Sequence, residues 1–368
     1  MNGPAGLYVH VPFCLTRCGY CDFNTYAGLD HLTGAYVRAL AKEAELAAPA
    51  WTGMPFASIF LGGGTPTMLP ARSIGSLLRM LRRGFDVEAR AEVTSEANPD
   101  TVDAGYLAAL RGAGITRLSV GVQSFDLAVL EALERIHSPE AARRAFAAAR
   151  EAGFDNVNLD LIYGADGESL ESWKETLGEA VAIRPEHLSC YALTIEPATP
   201  LGRKVAAGLV PPPDPDLQAE MYDLACAALR EAGYRHYEVS NWAKPGFECV
   251  HNLGYWEERP YLGLGAGAHS FRDGRRWWNL RPPQQYLGEV EGGRLPIGGE
   301  ELLTDDERRI ERLLLGLRMA SGIPADWAQP ARLEPFVVEG LAHRRDGRFV
   351  LTDRGMLLAN EVVLSLAE

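Results

Sequence analysis

The stretch "NVNLDLIYG" (residues 156–164) alternates strictly, with Asn156, Asn158 and Asp160 on one face of an extended chain and Val157, Leu159 and Leu161 on the other. Strands inside an ordinary parallel barrel carry branched apolar residues inward. Here one face is apolar, ready for a covering helix, and the other is polar. Two earlier runs repeat the pattern. "AEVTSEAN" (91–98) sets Glu92, Thr94, Glu96 and Asn98 against Ala91, Val93 and Ala97; "RLSVGVQ" (117–123) sets Ser119, Gly121 and Gln123 against Leu118, Val120 and Val122. Three such strands predict a sheet whose helix-free side is lined for a polar ligand.

Further β-type runs lie at "LYVHV" (7–11), "SIFLGG" (58–63) and "HLSCYAL" (187–193), with helix-periodic segments between them. One such segment puts Tyr36, Val37, Leu40 and Ala44 on a single face; another, "VDAGYLAALRGAG", closes on Gly112 and Gly114. Six alternations of strand and helix predict an α/β fold, a parallel sheet curled into a full or partial barrel. After residue 195 the texture changes. "PPPDP" (211–215) leads into an amphipathic helix bearing Leu217, Met221, Leu224, Ala228 and Leu229, and aromatic residues crowd between 234 and 286. Thr304 and Glu307 match a capping box ahead of an Ile310, Leu313, Leu314, Leu317 stripe, and Asp346-Gly347 marks a hairpin. The expected division is a barrel over 1–200, an associated extension over 201–300 and a small winged-helix-like α+β module over 301–368.

The chain has 368 residues, 47% hydrophobic and 23% charged, with 36 basic and 49 acidic side chains for a net charge of −13. That balance argues against a broad nucleic-acid surface. No apolar run reaches the roughly 18 residues of a membrane span, and the N-terminus does not read as a signal peptide. Cys190, Cys226 and Cys249 are scattered and read as buried or free thiols, as in a reducing cytoplasm.

The other three cysteines are not scattered. "VHVPFCLTRCGYCDFNTY" (9–26) packs Cys14, Cys18 and Cys21 into a C-x3-C-x2-C loop after a strand. Three thiolates suit a four-iron cluster with one iron left open, or a zinc site completed by His10. Covalent haem attachment is excluded, because Asp22 stands where C-x-x-C-H needs histidine. "FLGGGTPT" (60–67) ends the second strand on Gly62, Gly63 and Gly64, a tight turn or a place where bare backbone meets a ligand's polar end. It is no P-loop. "GLGAGA" (263–268) fits a dinucleotide pattern only loosely, since no amphipathic helix or acidic partner is placed for it.

Taken together, the three-cysteine loop and GGGTP resemble the radical S-adenosylmethionine (SAM) superfamily. "SEANP", "GVQSF", "NLDLIYG", "LSCYALTIEPATPL", "YEVSNWAKPGFECVHNLGYW" and "YLGLGAGAHSF" follow in the order of coproporphyrinogen III oxidase-like radical SAM proteins, and most closely of their haem chaperone branch, the HemW family. The resemblance implies a partial (βα)6 TIM-like barrel, a [4Fe-4S] cluster on Cys14, Cys18 and Cys21, and SAM on the open iron. It places SAM contacts at Tyr8, Tyr20, Gly63, Gly64, Thr65, Glu96, Gln123, Arg135 and Asp160. Arg135, in "LEALERIHS", reads on residues alone as an exposed helix-end cation.

Phe23 occupies the position where the oxidases carry a fourth cysteine, and the chain begins six residues ahead of its first strand run rather than with their long N-terminal extension. "HNLGYW" (251–256) matches the chaperone signature for haem, implying roles for His251, Asn252, Tyr255 and Trp256; on residues alone His251 in an aromatic loop reads as structural. One departure is "YGADGES", where Ala165-Asp166 replaces the family's usual Leu-Pro. The resemblance implies a cytoplasmic haem chaperone that passes haem to acceptor proteins, including respiratory enzymes at the membrane, and that needs an electron donor if SAM is cleaved. The alternative is an enzyme, an oxygen-independent coproporphyrinogen III oxidase or related radical SAM transferase.

Overall fold

A computed structural model describes residues 3–367. Its six predicted strands are β1 (Ala5–Val11), β2 (Pro55–Gly63), β3 (Asp86–Ala97), β4 (Arg117–Gln123), β5 (Val157–Tyr163) and β6 (His187–Ala192). They pair in parallel in chain order, and β1 and β6 do not close on each other: further strands flank both. Beyond β6 lie β7 (Arg235–Glu238) and β8 (Asn241–Ala243), antiparallel, with β7 at the sheet edge. Beyond β1 lies β9 (Tyr261–Leu264), parallel to it, then the antiparallel β10 (His269–Arg272), β11 (Arg275–Asn279) and β12 (Ile297–Leu302).

The connecting helices are α1 (Thr33–Ala47), α2 (Ala71–Gly84), α3 (Ala104–Ala113), α4 (Leu127–Ala132), α5 (Pro139–Glu151) and α6 (Leu170–Ala182). Side-chain caps start several of the crossover helices, whereas α1 and α2 have none. Asp103, Ser138 and Ser169 accept hydrogen bonds from the first turns of α3, α5 and α6. Of the two glycines expected to close α3, Gly112 lies inside it and Gly114, at φ +106°, ends it. The apolar strand faces are fully buried against these helices, through Leu7, Val9, Ile59, Leu61, Val93, Val120, Leu159 and Leu188 among others. That burial leaves the opposite faces for the site.

The rest of the chain runs through α7 (Pro200–Ala206), α8 (Pro215–Glu231), α9 (Val250–Trp256) and α10 (Pro283–Glu291). In α8 the face turned inward carries Met221, Tyr222, Ala225, Cys226 and Leu229, one step round from the predicted stripe, whose Leu217, Leu224 and Ala228 are only partly buried. α11 (Asp305–Leu317) starts with the capping box of Thr304 and Glu307 and buries Leu313 and Leu317, while Ile310 is exposed. The C-terminal segment adds β13 (Ile323–Pro324), α12 (Pro330–Val338), β14 (Ala342–Arg345), β15 (Arg348–Leu351), α13 (Asp353–Leu357) and α14 (Ala359–Ala367). Asp346 and Gly347, both at positive φ, turn β14 into β15 as the sequence predicts. "GLGAGA" joins β9 to the antiparallel β10, so no helix N-terminus follows it and the dinucleotide reading fails on topology.

Candidate functional site

The polar strand faces meet inside the sheet and hydrogen-bond across it. Asn158 Nδ2 donates to Ser119 Oγ (2.7 Å) and Asp160 Oδ1 (2.9 Å), and Ser119 Oγ donates to Asp160 Oδ2 (2.8 Å). His187 Nδ1 donates to Asn158 Oδ1 (2.6 Å) and its Nε2 accepts from Tyr237 (2.8 Å). Burial keeps that imidazole neutral. Sequence reading passed over His187, Ser189 and Tyr191, although "HLSCY" has the same alternation as its neighbours. It also placed Asn156 on the polar face, but that residue precedes β5 and lines neither cavity.

Two adjoining cavities open on this lining. The first, about 380 Å3, is walled by Cys14, Cys18, Tyr20, Cys21, Gly63, Gly64, Thr65, Glu96, Gln123, Arg135 and Asp160. It therefore gathers every predicted cluster and SAM residue except Tyr8. The second, about 540 Å3, holds Tyr8, His10, Phe60, Arg117, Asn158, Tyr191, His251, Asn252, Tyr255 and Arg281. Asp22, Phe23, Gly63, Glu96, Ser119, Asp160 and Tyr191 line both. Trp256 lines neither.

A short parallel bridge, Phe13–Cys14 beside Tyr26–Ala27, pins the ends of the cysteine loop. All three thiols are free and part-buried. Cys14 Sγ accepts from Thr65 (3.7 Å) and Cys18 Sγ from Arg135 Nη1 (3.4 Å). Burial pushes the Cys14 and Cys21 thiols up. Among the described residues these sulfurs are not all gathered within 4.8 Å of one another; thiolates of one tetrahedral zinc stand roughly 3.8 Å apart. Nor is His10 free to join them. Its Nε2 donates to Asn24 O (2.9 Å) and its Nδ1 accepts from Tyr8 Oη (3.0 Å). A wider, three-thiolate cluster site fits; a single-ion site does not.

Arg135 is no exposed cation. It sits part-buried, with Nη2 on Asn98 Oδ1 and Gly121 O at 3.1 Å each and Nη1 on Cys18 Sγ. Gln123 reaches the cavity from a strand irregularity, at φ +65° beside a register shift between Gly121 and Gln123. The GGGTP turn presents less free backbone than its sequence suggests. Gly63 N donates to Glu96 Oε2 (3.0 Å), Gly64 N to Val11 O (2.8 Å) and Thr65 N to Phe13 O (2.7 Å), so these donors lock the turn to β1, β3 and the cysteine segment.

Charge is the first cavity's second property. Glu96 is pushed up to about 8 by burial and by Asp160 across from it, and Asp160 itself is raised by burial. Two crowded carboxyls favour a cationic ligand, which would relieve both. In the second cavity the buried Arg117 leaves its Nε without a partner and faces Glu92 and Asp160.

"HNLGYW" forms the helix α9 rather than a loop. His251 is buried, stacked on Phe60 (5.1 Å between ring centres), with Nδ1 on Ser58 Oγ (2.8 Å) and Nε2 on Tyr255 Oη (2.9 Å). Burial lowers it to about 3, so the ring is neutral, the form that binds metals. Coordination through Nε2 requires Tyr255 Oη to move aside. At the departing "YGADGES" loop, Glu168 Oε2 accepts from Gly164 N (2.7 Å) and Ala165 N (3.1 Å), which fixes the turn that Leu-Pro would otherwise shape.

The radical SAM superfamily pattern matches residues 8–180. The chain is 43% identical to the heme chaperone HemW of Mycobacterium tuberculosis, covering 99% of this chain and 95% of that one, and 40% identical to HemW of Escherichia coli, covering 99% of each. The structure is similar to that of the Escherichia coli radical SAM enzyme coproporphyrinogen III oxidase (HemN), with a TM-score of 0.85 at 26% identity over all of this chain and 90% of that one. The three-cysteine loop, the polar-lined parallel sheet and these likenesses agree: the chain belongs to the radical SAM superfamily and, within it, to the heme chaperone HemW family.

Proposed function

We propose that this protein is a haem chaperone that binds a [4Fe-4S] cluster, SAM and haem and hands haem to acceptor proteins. The observation that carries the reading is the pair of adjoining cavities, one ending on three cysteines and the other on the "HNLGYW" helix, with Glu96, Ser119 and Asp160 in the shared wall. Cys14, Cys18 and Cys21 would hold the cluster. When bound, it supplies a vacant coordination position and a route for an electron.

The residues around it have separable tasks. Arg135 donates to Cys18 Sγ and so places a positive charge beside the sulfur that would ligate the cluster. Glu96 and Asp160 would take the cationic end of SAM, and Gly63, Gly64, Thr65, Gln123 and Tyr20 line the same cavity. Tyr8 lines only the second cavity, so its part is on the haem side: its Oη donates to His10 and its ring lies beside the stacked Phe60–His251 pair, 6.3 and 6.4 Å from the two ring centres. Tyr8, Phe60 and Tyr255 offer flat apolar walls for a porphyrin, and Arg117 and Arg281 offer cations for its carboxylates. His251 and Asn252 reach the same cavity, whereas Trp256 would contribute only by supporting α9.

No helix is long and apolar enough to cross a membrane among the described residues. Six free thiols suit a reducing compartment, for which we propose the cytoplasm, with respiratory enzymes at the membrane as recipients. An electron donor is required only if SAM is cleaved. The likeness to HemN favours one competing reading, decarboxylation of coproporphyrinogen. Anaerobic reconstitution should yield about four iron and four sulfide per chain, with SAM bound and no decarboxylated porphyrin formed. Decarboxylation at each SAM turnover would replace the chaperone with the enzyme.

A further inference from the structure

Away from both cavities, Cys226, His236 and Asp353 bring a sulfur, a ring nitrogen and a carboxylate oxygen within 4.8 Å of one another. They come from α8, the edge strand β7 and the start of α13, elements that converge only in the folded chain. We propose that they form a zinc site that clips the C-terminal segment to the edge of the main sheet.

Each ligand is set for the task. His236 Nε2 faces Val239 O at 3.3 Å and donates its proton there, which leaves the Nδ1 lone pair directed at the cluster. The ring is held flat on Trp242, 4.3 Å away at 7°. Asp353 divides its two oxygens: Oδ2 pairs with Arg230, and Oδ1 faces His236 Nδ1 at 3.6 Å. That separation is long for a hydrogen bond and ordinary for two ligands of one tetrahedral ion, roughly 3.3–3.6 Å. Arg230 acts as the partner that orients a ligating carboxylate, not as a competitor for Oδ1. Cys226 is buried and pairs with no other cysteine.

A second, independent observation points at the same spot. Tyr222 is buried to 3% exposure, and its hydroxyl lies beside the Cys226 sulfur without a well-aligned hydrogen bond. It lies one turn before Cys226 on the buried face of α8, with its ring edge-on to His236 at 6.0 Å. With a metal on the Cys226 sulfur, the phenol beside it stands at a fourth ligand position, filled by the phenol itself or by a water it holds. One soft thiolate with imidazole and carboxylate selects zinc over magnesium or calcium.

The test uses the full chain with Cys14, Cys18 and Cys21 all changed to Ala, so that the cluster loop cannot take the metal. Zinc is measured by mass spectrometry after dialysis, and Co(II) is added to stripped protein. The proposal expects about one zinc per chain and a thiolate-to-cobalt absorption band. Cys226→Ser should abolish both, Asp353→Asn should weaken binding by roughly 10–100-fold, and Cys190→Ser should change neither. Chelation should lower the melting temperature of the parent protein and leave that of Cys226→Ser unmoved, which separates loss of metal from loss of fold. A zinc-free parent, a cobalt spectrum without the sulfur band, or zinc retained by Cys226→Ser would overturn the proposal.

Discussion

Glu96→Gln tests the electrostatics of the shared wall. Glu96 is held at about 8 by burial and by Asp160, against an ordinary value of 4.5. The unfolded chain ionises at the ordinary value, so the stability contributed by the protonated carboxyl is complete below about pH 4.5 and is withdrawn as the pH climbs to about 8. At 1.36 kcal/mol per pH unit, the ceiling for that loss is about 5 kcal/mol. The adjoining cavities admit water to one side of the group, which brings the expected loss to about 2 kcal/mol. Glutamine keeps the shape, can still accept from Gly63 N, and cannot ionise. Urea unfolding of cluster-free protein under reductant, from pH 5.5 to 8.5, should therefore show the variant gaining on the parent as pH rises, by about 2 kcal/mol at the upper end. Buried acids away from the Glu96–Asp160 pair titrate alike in both proteins and cancel in the difference, while Asp160 loses its charged neighbour in the variant and adds to the same trend. Parallel curves across that range would refute the crowded-carboxyl account.

Three further perturbations bear on the site. Gly63→Ala forces a side chain to φ +108° with its Cβ against the His10 ring, and should destabilise the protein by about 2–4 kcal/mol in urea unfolding. Arg135→Gln removes the cation from Cys18 Sγ and leaves Asn98 and Gly121 O underbonded, so the cluster should be lost faster on dilution, read as decay of its visible absorbance. For haem, His251→Ala should weaken binding at least about tenfold in an absorbance titration, a cost of about 1.4 kcal/mol. Tyr255→Phe, which releases Nε2, should leave binding equal or tighter; weaker binding in Tyr255→Phe would assign the contact to the tyrosine.

Much of this was legible because strand alternation is physical. Glu96, Ser119, Asn158 and Asp160 had to share one face, and the helices had to cover Val93, Val120 and Leu159. Motif order carried the cysteine loop and GGGTP. Local pattern could not show where each lining residue points along the sheet, so Tyr8 fell with the cysteines in sequence yet lines the other cavity. The helix α9 was hidden because Asn252 and Gly254 interrupt its seven residues and no side chain caps it. Strands β9 to β12 were masked because their order emerges only from long-range pairing: β9 joins β1, and β10, β11 and β12 follow it in turn. Arg135 looked solvent-bound because its partners, Cys18, Asn98 and Gly121, lie at least fourteen residues away in sequence.

The central claim is that this chain carries haem. The direct measurement mixes haem-loaded, cluster-reconstituted protein with an apo-form of a haem protein and follows the recipient's absorbance spectrum. The account predicts transfer that yields the recipient's holo spectrum and that His251→Ala impairs. Haem that stays with the donor, or that reaches the recipient no faster than free haem does, would contradict it.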